Sequence, residues 1–156
     1  MHNGDIENVL EIKKYIYSNI ADEFLLNIKG NTDSEYCFSL FLNYLKEYDE
    51  NIIKQSYLSF TILQLKKAMI STIYKINELT NSSISSMNFS FTDGKRIISS
   101  RYLNSKTEDP PSLYYSIGNS YLIDKNNKTY MKDANNSNKC IIISSEPINK
   151  NNNDWN

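Results

Sequence analysis

Two cysteines, Cys37 and Cys140, are too few for a disulfide framework, and neither has CxxC spacing. A single histidine, His2, with no cysteine cluster, leaves no recognisable metal-ligand set, and no cofactor is expected. Basic excess is also missing. Seventeen Lys and Arg face eighteen Asp and Glu, a formal net charge of −1, so the phosphate neutralisation on which nucleic-acid binding depends has no source. No apolar run approaches the roughly 18 residues of a membrane span. The opening Met1-His2-Asn3-Gly4-Asp5-Ile6-Glu7 has neither the basic start nor the apolar stretch of a signal peptide. These absences predict a cytoplasmic protein with no nucleic-acid or membrane partner.

What is present is 156 residues, 40% hydrophobic and 22% charged, enough for one domain with a modest core. The first half reads as helical. Ile6, Val9, Leu10, Ile16 and Ile20 share roughly one face, with Asp5 placed as cap. Phe24 to Ile28 is a short strand or a helix end stopped at Gly30. Thr32-Asp33-Ser34-Glu35 has the pattern of a capping box ahead of a helix carrying Phe38, Phe41, Leu42 and Leu45. Leu58, Ile62, Leu65, Met69, Ile73 and Ile76 mark a third helix, ended by Asn81-Ser82-Ser83.

The second half changes period. Met87, Phe89 and Phe91 alternate with Asn88, Ser90 and Thr92, as in a half-buried strand. Asp93-Gly94 predicts a type I′ hairpin turn, with Ile97 to Leu103 as the partner strand. Leu113 to Ile117 and Tyr121 to Ile123 read as further strands, Tyr114 and Tyr115 alternating between core and surface. Cys140 to Ile143 reads as a strand buried on both faces. The asparagine-rich tracts at 125–128, 135–138 and 149–153 read as solvated loops, and the end, Asn152 to Asn156, as a polar loop. Helices followed by antiparallel strands predict an α+β fold.

Two polar strings stand out. In His2-Asn3-Gly4, an Asn side-chain N–H and a Gly backbone N–H can converge on one developing oxyanion, although Asn-Gly is equally a common turn dipeptide. In Thr32 to Glu35, capping by Thr32 and Glu35 and the helix dipole at Asp33 need no ligand. Cys37, one turn into a helix, and Cys140, heading an apolar strand, read as small core hydrophobes. Arg101 and Glu146 read as exposed or structurally paired charges.

In this order and separation, the two strings resemble the class II glutamine amidotransferase domain, an N-terminal-nucleophile hydrolase. Asn88-Phe89-Ser90-Phe91-Thr92-Asp93-Gly94, Arg101-Tyr102, Pro110-Pro111-Ser112-Leu113-Tyr114-Tyr115, Ser144-Ser145-Glu146-Pro147 and Asp154-Trp155 are similar to one branch of it. That branch contains the fungal glutathione-degrading amidotransferases and the bacterial ergothioneine-pathway hydrolases. The resemblance implies that Asn3 and Gly4 bind the oxyanion and that Asp33 holds the α-ammonium of a γ-glutamyl substrate. It implies an αββα sandwich and hydrolysis of a γ-glutamyl amide through a cysteine thioester.

The family's nucleophile is a cysteine that opens the mature chain, whereas residue 2 here is His. The expectation is therefore a single partial domain over residues 1–156, lacking the nucleophile segment and the C-terminal elements, and inactive alone. Its partners would be a γ-glutamyl small molecule and a further subunit. The alternatives are a non-catalytic binding or regulatory module, and a truncated gene product.

Overall fold

Apart from a two-residue opening strand, the helices precede the antiparallel strands along the chain, so the α+β expectation holds. The computed structural model describes residues 1–48, 60–81, 83–132 and 140–156. These divide into two units, Met1–Pro110 and Pro111–Asn156.

The first unit opens with a two-residue strand β1 (His2–Asn3), followed by α1 (Val9–Asn19), α2 (Asp22–Leu25), α3 (Asp33–Lys46) and α4 (Ile62–Leu79). Strands β2 (Asn88–Thr92) and β3 (Ile97–Ser99) complete it, in the antiparallel order β1-β2-β3. Spacing near 3.6 brings Ile12 and Ile16 of α1, Leu40 and Leu45 of α3, and Leu65, Met69 and Ile76 of α4 into one core with Phe89 and Phe91 of β2. Phe41 stacks on Phe91 with ring centroids 4.0 Å apart, a contact worth about 0.5–1.5 kcal/mol beyond the area it buries.

Several local expectations are corrected. Asp5 does not cap α1; Asn8 occupies that position in a left-handed conformation with no side-chain cap. Leu10 lies on the solvent face, 57% exposed, because Ile12 and Ile16 define the buried stripe. Of the two readings offered for Phe24 to Ile28, the helix end holds, since Phe24 lies in the short helix α2. Phe38 and Ile62 are exposed rather than core. Helix α4 begins with a capping box the hydrophobic pattern did not mark: Thr61 Oγ1 accepts the Gln64 N–H at 3.2 Å, and Gln64 accepts the Thr61 N–H at 2.8 Å. Leu58 lies outside the described residues, as do Ser82 and the 135–138 tract.

The β2–β3 hairpin forms, but its connection spans four residues rather than two, since Thr92 pairs with Ile97. Gly94 alone in it has positive φ (+84°), so this is not the type I′ turn. The Asp93 carboxylate organises it instead, accepting the N–H groups of Lys95 (2.8 Å) and Arg96 (2.6 Å). Strand β3 stops at Ser99, and Leu103 rejoins only through an isolated bridge to Ser86. Asn88, assigned to the solvent face by alternation, is fully buried and accepts the Tyr102 N–H at 3.1 Å.

The second unit contains β4 (Tyr114–Gly118) paired with β7 (Cys140–Ser144), and β5 (Ser120–Ile123) paired with β6 (Thr129–Lys132), all antiparallel. Strand β6 was hidden by its polar flanks. The β7 run is not buried on both faces, for Ile141 is 47% exposed. Neither Tyr114 nor Tyr115 is buried. The terminal loop is ordered by pairing: Asn156 exchanges two backbone hydrogen bonds with Tyr115 (3.0 and 3.1 Å), and Trp155 is buried. Among the described residues, no helix is long and apolar enough to cross a membrane.

Candidate functional site

Strand β1 lies at one edge of the first unit's sheet. Met1 and Ser90 exchange both backbone hydrogen bonds at 2.9 Å. Hydrogen-bonded and non-hydrogen-bonded pairs alternate along an antiparallel ladder. Asn3 therefore faces β2 with its backbone, while the N–H groups of His2 and Gly4 turn to the open edge. The chain then bends at Gly4, where φ is +156°. A Cβ there would overlap the Ser86 carbonyl oxygen and sit 2.6 Å from Ser86 Oγ, so only glycine fits. Asp5 closes the bend, its N–H donating to Ser86 Oγ at 3.0 Å and its carbonyl accepting the Ser86 N–H at 2.9 Å.

Half of the expected capping box is present at the start of α3. Thr32 Oγ1 accepts the Glu35 N–H at 3.4 Å. The Glu35 carboxylate reaches further back than Thr32, taking the N–H groups of Lys29 (3.0 Å) and Gly30 (3.1 Å). The Lys29 N–H, aided by the Gly30 N–H and the Thr32 hydroxyl, holds this carboxyl below its ordinary value despite partial desolvation. Glu35 thus pins the loop that delivers Asp33.

Asp33, three-quarters buried, uses its two oxygens unequally. Oδ1 accepts the Ser34 N–H at 2.6 Å and has Ser34 Oγ at 3.3 Å. No hydrogen bond among the described residues reaches Oδ2. A carboxylate with one oxygen engaged and one open, at the positive end of a helix, can accept a cationic donor.

His2, given no site role from sequence, is central. Its side chain is 3% exposed and its ring centroid lies 4.8 Å from that of Phe89. Nε2 is 3.1 Å from the Ser86 carbonyl oxygen, which can only accept, so Nε2 carries a proton. Nδ1 meets Ser34 Oγ at 3.3 Å and Asp33 Oδ1 at 3.6 Å. Of the sequence-derived candidates, Asn3 and Gly4 adjoin along the chain, and Asp33 reaches that segment through His2. His2, Ser34 and Ser86 were missed; the one available signal was the histidine immediately before Asn3. A cavity of about 260 Å³ opens beside them, lined by His2, Ser34 and Ser90 and by Phe38, Phe89 and Phe91.

Burial pushes the Cys37 thiol far above its ordinary value, with the Asp33 charge adding to the effect. It is inert as a nucleophile and fills the core as expected. Cys140 is half-buried at the head of β7. The Arg101 guanidinium donates to the Pro110 carbonyl at 2.7 Å, and Glu146 is exposed. No group of His, Cys, Asp and Glu able to hold a metal occurs among the described residues.

The chain is 35% identical over 163 aligned positions to the probable glutamine amidotransferase DUG3 of Saccharomyces cerevisiae. The match takes in 99% of this chain and 45% of the yeast protein, so the chain spans less than half the length of that relative. The similarity supports a glutamine amidotransferase relationship. No family model matches the sequence, and no solved structure matches the fold.

Proposed function

We propose that this chain is the γ-glutamyl-binding part of a class II glutamine amidotransferase domain, an N-terminal-nucleophile hydrolase whose complete fold is the αββα sandwich. What carries the proposal is the Asp33 carboxylate, engaged through Oδ1 and open at Oδ2, beside Ser34, whose hydroxyl lies 3.3 Å from the ring of His2, the residue before Asn3. The α-ammonium of a γ-glutamyl compound would dock on Asp33 Oδ2. The side-chain amide of Asn3 and the N–H of Gly4 would donate to the carbonyl oxygen as it becomes an oxyanion.

A cysteine thiolate of the whole protein would attack the γ-carbonyl carbon. Collapse of the tetrahedral intermediate would expel ammonia or an amine, which takes up a proton, and leave a thioester. Water would then release glutamate and restore the thiol. Cys37 cannot perform this step because it is buried and protonated. The isolated chain should therefore show no glutaminase turnover.

Steady-state kinetics of the full-length protein test the assignment. Asn3→Ala should lower kcat by about 10²–10³, the cost of one oxyanion donor. Asp33→Asn should act mainly on KM for glutamine or glutathione. An unchanged KM in Asp33→Asn would refute the substrate role. Burial of Cys37 also favours a second reading, a binding module without turnover. Glutathione binding by the full-length protein with no product formed would establish it.

A further inference from the structure

We infer that His2 is a positioning residue that sets the Asp33 carboxylate relative to the Asn3–Gly4 segment, an inference that rests on the γ-glutamyl reading of the site. Its backbone belongs to β1, immediately before Asn3, and its ring spans to two other places. On one side Nε2–H is anchored on the Ser86 carbonyl, whose own residue brackets the bend at Gly4. On the other side Nδ1 faces Ser34 Oγ and Asp33 Oδ1 at the start of α3. Phe89 packs on the ring and limits its rotation. One imidazole therefore joins the strand that would hold the oxyanion donors to the helix end that would hold the substrate ammonium.

Ser34 has a single hydroxyl proton, and two acceptors lie 3.3 Å from its oxygen, His2 Nδ1 and Asp33 Oδ1. With neutral His2, only one of them receives that proton. A cation arriving at Asp33 Oδ2 draws charge from the carboxylate, weakening Oδ1 as an acceptor and shifting the hydroxyl toward Nδ1. The environment of Nδ1 is thus coupled to occupancy of Asp33. A histidine serving packing alone would show no such response.

The test uses the full-length protein, its nucleophilic cysteine replaced by serine, with reduced glutathione as the probe. Binding is followed by the ¹⁵N signals of the His2 imidazole, identified by their loss in His2→Ala. The wild-type ring should show Nε2 protonated and Nδ1 as acceptor, and Nδ1 should shift on adding glutathione. Asp33→Asn and His2→Ala should each weaken binding by about tenfold, the scale of one charge-assisted hydrogen bond. His2→Asn, which keeps a polar atom near the Nδ1 position, should recover part of that loss. His2→Gln, which reaches Ser86 instead, should not.

If glutathione binds and Asp33→Asn weakens it while His2→Ala binds like wild type, the positioning role is overturned and the γ-glutamyl reading stands. An Nδ1 signal that stays still as glutathione binds the full-length protein overturns it equally, even if the alanine variant does not fold. Failure of the full-length protein to bind glutathione overturns the γ-glutamyl reading, and with it this inference.

Discussion

Among the described residues, Met1–Pro110 buries eighteen side chains in one apolar cluster drawn from α1 to α4, β2 and the segments beside them, whereas in Pro111–Asn156 only Met131 and Trp155 are buried apolar residues. The second unit leaves Tyr115 and Ile117 of β4 and Ile141 of β7 open to solvent. It organises itself around a side-chain network instead. Asn149 Nδ2 donates to the Thr129 carbonyl and to Asp154 Oδ2, both at 2.8 Å. Asn149 Oδ1 accepts Trp155 Nε1–H at 3.0 Å, and Asp154 Oδ2 accepts the Met131 N–H at 3.1 Å. A cluster of apolar contacts spreads its stabilisation over many residues, while a satisfied polar network concentrates it in a few. All the candidate site residues lie in the unit with the apolar core. That follows from what such a site requires, since a buried imidazole and a fixed carboxylate need rigid supports on several sides.

The contrast can be broken by experiment because the two units have separate reporters. Helices α1 to α4 lie in the first, so far-UV circular dichroism follows it, and the single tryptophan, Trp155, lies in the second. The largest effect is expected from Phe24→Ala. It empties a fully buried site in the first unit and should cost about 3–5 kcal/mol in the helical transition. A loss under about 1 kcal/mol would show that the apolar cluster is not what holds this unit.

Asn149→Leu should come next. It leaves Trp155 Nε1 and the Thr129 carbonyl without their partner, at about 1–3 kcal/mol, and should move Trp155 emission and β6 amide exchange. The helical signal should stay in place. Coincident shifts of both reporters would mean that the units do not differ as described.

Thr61→Ala removes the capping box of α4 and should cost about 1 kcal/mol, read in the helical transition alone.

The smallest effect concerns acid. Glu35 is held below its ordinary value of 4.5, chiefly by the Lys29 N–H. Its folded pKa is depressed, so its contribution is complete above the unfolded value and disappears as pH falls through the folded one. Wild type should therefore lose slightly more stability than Glu35→Gln in the acid limb below about pH 4.5. Parallel acid limbs would remove Glu35 as the pin of the loop before α3.

The parts legible in sequence were those governed by neighbours along the chain. The stripe through Leu65, Met69 and Ile76 placed α4, and the alternation of Phe89 and Phe91 placed β2, because each pattern repeats the period of its own backbone. The hairpin after β2 was foreseen from Asp93-Gly94. Its turn type was not, because the Asp93 carboxylate replaces the backbone bonds that a tight turn would use. Leu10 and Phe38 were misassigned because apolar character says that a residue can be buried, not which side of a helix meets a partner. The role of Asn149 and Trp155 stayed hidden inside a tract whose composition reads as solvated loop.

By itself, then, the sequence determined the run of helices from α1 to α4 ahead of strands β2 to β7, the cap at Thr32, and the polar groups carried by the strings His2-Asn3-Gly4 and Thr32 to Glu35. These depend on local backbone preference and on functional groups, both written residue by residue. Only the tertiary structure decided that His2, a terminal residue by position, is buried on Phe89 between Ser86 and Asp33, and that one oxygen of Asp33 is engaged while the other is open. Those facts arise from pairing residue 2 with residue 89 and packing the start of α3 beside them, and contacts at such separation have no signature in local pattern.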